Sequence, residues 1–135
     1  MDIIVRQLRE SDIPSLVEIL ELNDQYKNPE VEGPDSMRRV VNCNAAVFLV
    51  AEIEKQPRGF IKAVYDGSRA LIHLLTVHPD FQRLGVGSAL VDAVCAEFLR
   101  RGAPTTSVTI TVQSIGFWEK KGFRRQPVFL MLKDL

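Results

Sequence analysis

The sequence predicts a single-domain, mixed α/β (α+β) protein in which a central, mostly antiparallel mixed β-sheet is flanked by helices on both faces. Three observations support this prediction. The chain has 135 residues, which suits one domain. In some segments the apolar residues form short runs or alternate with polar residues, as in strands. In other segments the apolar residues recur at helical spacing. These segments follow the order β-α-α-β-β-β-α-β-α-β, and that order favours a mixed sheet covered by helices.

The first third of the chain predicts one strand and two helices. Residues 3–8 form the strand, and Ser11 or Asp12 can cap the helix that follows, with a proline tolerated in its first turn. Residues 23–35 are polar, acidic and interrupted by proline and glycine, which predicts a loop. A short second helix is predicted over residues 35–41.

The centre of the chain predicts three strands. They cover residues 45–53, 59–65 and 70–77. Asp66 and Gly67 separate the last two and form a strong hairpin signal, because this pair readily adopts the turns that match strand twist.

The remainder predicts two helices and two strands. A long helix spans residues 85–101 and is ended by a glycine and a proline just beyond it. Residues 105–112 alternate as a half-buried strand should. A short helix over residues 115–121 and a last strand over residues 128–132 complete six strands and four helices.

Charge is unevenly distributed although the formal net charge is zero. Residues 1–35 carry nine acidic and three basic side chains, a net of −6, and residues 36–135 carry a net of +6. Two readings stay open: an ordinary solvated surface, or a basic part that holds a polyanion beside an acidic part that faces an amine. Arginine and lysine are too scattered to form a nucleic-acid stripe, so no nucleic-acid partner is expected.

Other sequence features argue against a membrane, secreted, disulfide-linked or metal-binding protein. No apolar run approaches the roughly 20 residues of a membrane span, and the N-terminus lacks a signal-peptide pattern, so we expect a cytoplasmic protein with no membrane partner. Cys43 and Cys95 do not suggest a disulfide framework and are expected to be buried. No cluster of side chains has metal-ligand spacing, so no metal is expected.

The turn before the long helix is the strongest functional signal. A buried strand, a short turn and a helix that opens on two glycines direct several backbone N–H groups towards one point, at the positive end of the helix dipole. Such a point favours a phosphate, which can approach closely where no Cβ intervenes. Neither the dinucleotide fingerprint nor the P-loop pattern fits this run. The candidate anion-binding residues are Gln82, Arg83, Leu84, Gly85, Val86, Gly87 and Ser88.

Three motifs together resemble the GCN5-related N-acetyltransferase (GNAT) superfamily. Leu75-x-Val77-x-Pro79 followed by Gln82-x-x-Gly85-x-Gly87 is similar to that family's acetyl-CoA motif. The segment 117–123, Phe-Trp-Glu-Lys-Lys-Gly-Phe, resembles its Phe-Tyr-x-x-x-Gly-Phe element, and the opening residues 5–14 resemble its first strand and helix start.

The resemblance implies an acetyl-CoA-dependent N-acetyltransferase, an acyltransferase, covering residues 1–135. It implies a sheet of six or seven strands flanked by about four helices. In this family the strands predicted at 70–77 and 105–112 splay apart and admit the pantetheine arm. The thioester would then lie beside the backbone of Leu75, Thr76 and Val77, with the Val77 N–H polarising the acetyl carbonyl.

The resemblance and the residue chemistry together suggest His73 as the general base. Histidine titrates in the useful pH range, and by strict alternation His73 shares a strand face with Leu71, Leu75 and Val77. A hydrogen-bonded structural histidine is the alternative. His78 more simply orients the turn that follows the strand.

Two departures from the family pattern concern the general acid and a cofactor contact. Trp118 stands where many members have the tyrosine thought to protonate the thiolate, and indole cannot serve as that acid. We expect Trp118 to pack against the pantetheine or the core. The only tyrosines, Tyr26 and Tyr65, reach the site only by tertiary approach. Thr111 stands in place of a common asparagine, so Gln113 or Ser114 are candidates for the missing contact.

The resemblance implies that the acceptor is an amine of a small molecule or peptide. We expect it to enter over residues 23–35, where acidic side chains can attract ammonium groups. These are Asp24, Glu30, Glu32 and Asp35. The basic residues Lys120, Lys121, Arg124 and Arg125 either meet adenosine phosphates or form a solvated face. An acyl-CoA-binding sensor or complex subunit with weak or no catalysis is the alternative function. Family members are often dimers, which leaves a homodimer open.

Overall fold

The computed structural model describes residues 1–135 and has one five-stranded mixed sheet. The strands lie in sequence order, and every neighbouring pair is antiparallel except the last, which is parallel. Their bounds are β1 (Ile4–Gln7), β2 (Ala46–Ile53), β3 (Gln56–Tyr65), β4 (Ala70–Val77) and β5 (Thr106–Val108).

Helices lie on both faces of this sheet, and the predicted fold class is confirmed. None of them is long and apolar enough to cross a membrane. Their bounds are α1 (Ile13–Leu22), α2 (Pro29–Glu32), α3 (Pro34–Val41), α4 (Val86–Arg101) and α5 (Ile115–Lys120), with single 3-10 turns at Glu10–Asp12, Pro79–Phe81 and Val112–Ser114.

Two separate clusters of buried side chains form the core, one on each face of the sheet. The cluster under α4 contains Val86, Leu90 and Ile72 and reaches Trp118. The opposite cluster joins α1 and α3 to β2 and β3 through residues such as Leu16 and Phe60. Because both faces are covered, β2 and β3 are apolar along most of their length and position β4 rigidly beside them.

The segment predicted as a loop contains one helical turn, α2. Asn28 provides the signal that the prediction missed: its side chain accepts a hydrogen bond from the Glu30 N–H at 3.2 Å, and Pro29 occupies the first helical position. A cap of this kind followed by proline favours a helix start. The turn therefore carries Glu32 over the sheet face that α1 covers.

The prediction of six or seven strands was wrong in number, because one predicted strand near the C-terminus is absent; another there is present but shortened. The strand predicted at 105–112 keeps its pairing only over β5, and Thr111 then opens a 3-10 turn. Residues 128–132 form no strand and pair with no edge of the sheet. Their side chains are exposed, from 75% for Leu130 to 95% for Phe129.

A buried ion network replaces the predicted cap of α1. The Asp12 carboxylate makes no cap bond to the helix. It accepts from Arg6 Nη1 at 2.7 Å, from Arg6 Nη2 at 2.9 Å and from the Arg9 N–H at 2.8 Å, while Arg6 Nε donates to Glu52 at 3.1 Å. Burial alone would raise the pKa of Asp12, but these donors lower it below the ordinary value. The network therefore fastens α1 to β1 and β2.

We predict that Arg6→Leu lowers the free energy of unfolding by about 3 kcal/mol at neutral pH, because it leaves the Asp12 carboxylate buried without its partner. Since the folded pKa of Asp12 is depressed, this contribution is fully present above the ordinary carboxyl pKa and is lost as the pH falls from there through the lower pKa of the folded state. Urea denaturation at several pH values measures both effects.

The control is Arg38→Leu, whose exposed pairs with Glu10 and Asp35 should contribute almost nothing. Equal losses in the two variants at neutral pH would contradict the role assigned to Arg6.

Candidate active site

Strands β4 and β5 separate after three residue pairs. Ala70, Leu71 and Ile72 pair with Thr106, Ser107 and Val108, and no pairing follows. A β-bulge lies at the point of separation, because Lys62 opposes Leu74 and Ala63 opposes Ile72, which leaves His73 without a partner on β3. Bulges bend a strand and increase its twist. The second half of β4 therefore presents an open edge on the side of β5.

The backbone direction along this edge is set by the ladder to β3. The His78 N–H donates to the Arg58 carbonyl at 2.7 Å. Thr76 and Leu74 precede His78 by two and four residues, so they have the same orientation in the ladder. In an antiparallel ladder, hydrogen-bonded and outward-facing residues alternate. The N–H groups of Leu75 and Val77 consequently face the open edge, as the expected role of the Val77 N–H requires.

The turn between β4 and α4 has a continuous run of unpaired backbone donors. None of the N–H groups from Gln82 through Ser88 donates to another group of the chain. Gly85 is the cap of α4 and adopts a left-handed conformation, with φ of +89°, and a Cβ built on it would meet no atom within 4 Å. These donors surround the positive end of a 16-residue helix. The geometry at this turn suits an anion.

Two side chains close the apolar side of this turn. A Cβ on Gly87 would lie 3.4 Å from Phe117 and 3.6 Å from Leu75, so the small residue lets α4 approach both. Phe117 is half-buried and packs beside the first turn of α4. The motif comparison placed weight on Trp118 and passed over Phe117, whose position beside the second glycine is visible only in the fold.

Fewer basic side chains contact the turn than the sequence suggested. Lys121 Nζ donates to Ser88 Oγ at 2.8 Å and pairs with Asp92 at 2.5 Å, which holds a positive charge beside the first turn of α4. Arg83 and Leu84 are exposed, and Arg83 adopts a positive φ of 64°. Lys120 and Arg124 are exposed. Among the basic residues of this region, Lys121 is the one that contacts the turn.

A polar network that the sequence analysis missed joins the end of α1 to the end of β4. Asn23 Nδ2 donates to Thr76 Oγ1 at 2.8 Å and to the Val77 carbonyl at 2.9 Å. Thr76 Oγ1 donates to Gln25 at 2.6 Å, and Gln82 Nε2 donates to the same Val77 carbonyl at 3.0 Å. Thr76 is only 3% exposed. The network fixes the position of Val77, and its members lie far apart in sequence.

His73 does not share a face with Leu75 and Val77, because the bulge interrupts the alternation. Leu75 and Val77 pack towards α4, whereas Leu74 packs on the α1 side. The charges that act on His73 are Lys62 and Glu32, which form an ion pair at 3.1 Å on that side. Partial burial and the Lys62 charge lower the pKa of His73, and Glu32 opposes them. The imidazole is therefore neutral at physiological pH and can accept a proton.

No tyrosine takes the place of Trp118. The indole is 5% exposed and packs edge-on against Phe117 and Phe123, with ring centroids 5.1 Å apart in both pairs. Of the two packing sites expected for it, the core is the one observed. Tyr65 lies at the far end of β3 and donates to the Gly67 carbonyl at 3.3 Å. Tyr26 packs against the α1 cluster.

The remaining predicted polar contacts are largely satisfied within the chain. Ser114 Oγ donates to the Thr111 carbonyl at 3.0 Å, so both residues close their own turn. The acidic segment is also mostly neutralised, since Asp24, Glu32 and Asp35 pair with Lys27, Lys62 and Arg38. The predicted attraction of ammonium groups is therefore weaker than the composition suggested.

Comparison with known proteins gives one family and a consistent set of folds. The model of the acetyltransferase (GNAT) family matches residues 14–123. PaiA N-acetyltransferase from Thermoplasma acidophilum, solved in complex with coenzyme A, is 17% identical with a TM-score of 0.85, over 96% of this chain and 94% of that chain. A transcriptional regulator from Bacillus halodurans C-125 is 20% identical with a TM-score of 0.84, over 98% and 100%.

An aminoglycoside acetyltransferase from an uncultured soil metagenomic sample gives a TM-score of 0.79 at 20% identity, over 98% of this chain and 97% of that chain. The fold and the matched motifs thus define an acyltransferase of the N-acetyltransferase type. The chain belongs to the acetyltransferase (GNAT) family, and the resemblance found in its motifs is confirmed.

Proposed function

We propose that this protein transfers the acetyl group of acetyl-CoA to an amine of a small molecule or peptide by direct attack. The observation that carries the proposal is the open edge of β4 beside a turn of unpaired N–H groups. An extended ligand that ends in phosphates matches both features, because it can add to the edge as a strand and place its charge on the turn.

The residues available to acetyl-CoA divide into two sets. The backbone of Leu75, Thr76 and Val77 would hold the pantetheine arm, with Phe117 on its apolar side. The turn from Gln82 to Ser88 would hold the pyrophosphate, and the Lys121 ammonium, which pairs with Asp92, lies beside it. This division supports the predicted cofactor contacts except Trp118, which is buried in the core.

In the reaction the amine nitrogen bonds to the thioester carbonyl carbon, the C–S bond breaks and the amine loses a proton. The Val77 N–H is suited to stabilise the oxyanion, because Asn23 and Gln82 fix the same residue through its carbonyl. His73 is suited to accept the amine proton through a water, because its pKa is lowered and it stands where the open edge begins. The thiolate of CoA then leaves and is protonated by solvent.

The acceptor would approach from the α1 and α2 side of β4. His73, Lys62 and Glu32 lie together on that side, and the exposed Glu30 is the acidic residue of the segment without an ion-pair partner. A similar fold in an aminoglycoside acetyltransferase supports a small-molecule amine as the first class to test.

An acyl-CoA-binding sensor or complex subunit is the second candidate. The buried Trp118 favours it, because no acidic hydroxyl stands beside the open edge to assist the leaving thiolate. Acetyl transfer to any amine would distinguish the enzyme from the sensor or subunit.

The first test combines acetyl-CoA calorimetry with an amine screen that follows thiol release. We expect a micromolar dissociation constant, roughly −8 kcal/mol, and release of CoA with at least one class of amine. Binding without any turnover would favour the sensor, and failure to bind would contradict both candidates.

We predict that Gly85→Ala weakens acetyl-CoA binding tenfold or more, because a methyl group on the turn hinders close approach of phosphate. Gly67→Ala is the matched control: Gly67 has φ of +95° and equally open surroundings in the β3–β4 hairpin. Both variants should lose about 1 kcal/mol of stability from the left-handed backbone. Calorimetry beside thermal melts measures both quantities, and equal affinities in the two variants would contradict the phosphate turn.

We predict that His73→Ala lowers kcat/KM a hundredfold or more and removes the acidic limb of its pH profile. Lys62→Met should move that limb of the wild-type profile to higher pH, because it removes a positive charge that lowers the pKa of His73. Glu32→Gln should move it to lower pH for the opposite reason.

Steady-state kinetics from pH 5 to 9, with melting temperatures as a folding control, test these shifts. A profile that keeps its acidic limb in His73→Ala would exclude His73 as the base.

A further inference from the structure

Gln25 lies directly after α1 and is held there by the way in which the helix ends. The Gln25 N–H donates to the Leu20 carbonyl at 2.8 Å, and the Asp24 N–H donates to the Glu21 carbonyl at 3.1 Å. With the positive φ of 55° at Asp24, these two bonds form a Schellman motif. The backbone of Gln25 is therefore fixed, although it belongs to a segment of polar residues.

The hydrogen bonds around Thr76 determine which way the Gln25 amide points. Asn23 Nδ2 donates to the Val77 carbonyl, which can only accept, and the same nitrogen donates to Thr76 Oγ1. The buried Thr76 hydroxyl has a single proton, and Gln25 Oε1, 2.6 Å away, is the group that accepts it. Because this bond uses the oxygen of the amide, both protons of Gln25 Nε2 remain available to a ligand.

These two protons lie on the α1 side of β4, from which the acceptor would approach. Thr76 opposes Phe60 of β3, and Phe60 belongs to the core cluster that packs against α1. Thr76 also directly precedes Val77, whose N–H is suited to stabilise the oxyanion. A donor held by Thr76 therefore reaches groups beside the reacting amine and not the distant parts of the acceptor.

Lys62 provides a second donor on the same face of the sheet. It opposes Leu74, two residues before Thr76, and its side chain is only 11% exposed. Its ammonium group donates to Glu32 at 3.1 Å and keeps two protons for other acceptors. An amine that carries an oxygen can bond to such donors, whereas a simple alkylamine would leave them unpaired.

We propose that Gln25 is a specificity-determining residue that selects amines with a carboxylate or an amide carbonyl on the carbon that bears the nitrogen. Free 2-amino acids and the N-termini of peptides share this chemistry. Gln25 Nε2 donates to the oxygen of the acceptor, and Thr76 acts as a positioning residue because it orients the Gln25 amide. The inference rests on the proposed function, since it names the acceptor class of the same site.

Steady-state kinetics with alanine, alaninamide and 2-aminopropane test the selection, because 2-aminopropane lacks the oxygen. We expect kcat/KM, calculated on the free-base concentration, to be roughly a hundredfold higher for alanine or alaninamide than for 2-aminopropane. A preference for alanine supports a free amino acid as the acceptor, and a preference for alaninamide supports a peptide N-terminus. Released CoA is followed with a thiol reagent in a Cys43→Ser background, because Cys43, expected to be buried, is exposed and would react itself.

Substitutions at Gln25 and Thr76 separate selection from a structural role. Gln25→Glu keeps an oxygen for the Thr76 hydroxyl but replaces the N–H donors with a negative charge, so the preference for alaninamide over 2-aminopropane should fall about tenfold or more. Asn28→Asp is the matched control, because it places the same charge in the same segment and retains the oxygen that caps α2. Thr76→Val should lower the preference as well, and Thr76→Ser should retain it.

Turnover without a preference for the oxygen-bearing amines, or a preference that survives in Gln25→Glu, would overturn the inference and leave the proposed acetyl transfer intact. If no amine is acetylated, the proposed function fails, and an NMR titration in the presence of CoA decides the inference separately. Alaninamide should then shift the side-chain NH2 resonances of Gln25, and 2-aminopropane should not. Equal or absent shifts would overturn the inference.

Discussion

The brief pairing of β4 with β5 is the constraint on which the rest of the site depends. If the parallel ladder continued to Val77, the edge of β4 that faces the gap would be paired with β5, and no extended ligand could add to it. The bulge at His73 ends the ladder after Ile72 and turns the remainder of β4 away. This one irregular residue thus marks the start of the open edge and is also the candidate base beside it.

The polar network around Thr76 links the two sides of the site. Asn23 and Gln25 belong to the end of α1 and the segment that follows, while Gln82 belongs to the turn. All three contact Thr76 or Val77, so a shift of the proposed acceptor side would also move the proposed oxyanion donor and the proposed phosphate turn. Since Thr76 is buried, its hydroxyl must stay paired, which makes this geometry costly to disturb.

Local sequence signals predicted most of the fold and the turn of unpaired N–H groups before α4, because their causes are local. Gly85 and Gly87 before an apolar helix, and Asp66-Gly67 between two strands, determine structure within a few residues. Other features depend on residues that the sheet brings together, and no spacing in the sequence indicates them. These are the bulge at His73, the Lys62–Glu32 pair and the Asn23 network. Alternation along β4 therefore assigned His73 to the wrong face.

The C-terminal strand shows a different limit. The pattern of residues 128–132 favours a strand, but a strand also requires an edge to pair with. In this structure the segment pairs with no such edge. Trp118 illustrates the same point at the site: the motif aligned it with a reactive tyrosine, and packing against Phe117 and Phe123 makes it a core residue.

Amide hydrogen exchange by NMR, with and without acetyl-CoA, tests the central claim most directly. The account predicts that binding protects the Leu75 and Val77 N–H groups, which face the open edge, together with those from Gln82 to Ser88. The N–H groups of Leu74 and Thr76, already paired with β3, should change little. Tight binding of acetyl-CoA that leaves Leu75 and Val77 unprotected would contradict the claim that the ligand adds to β4 as a strand.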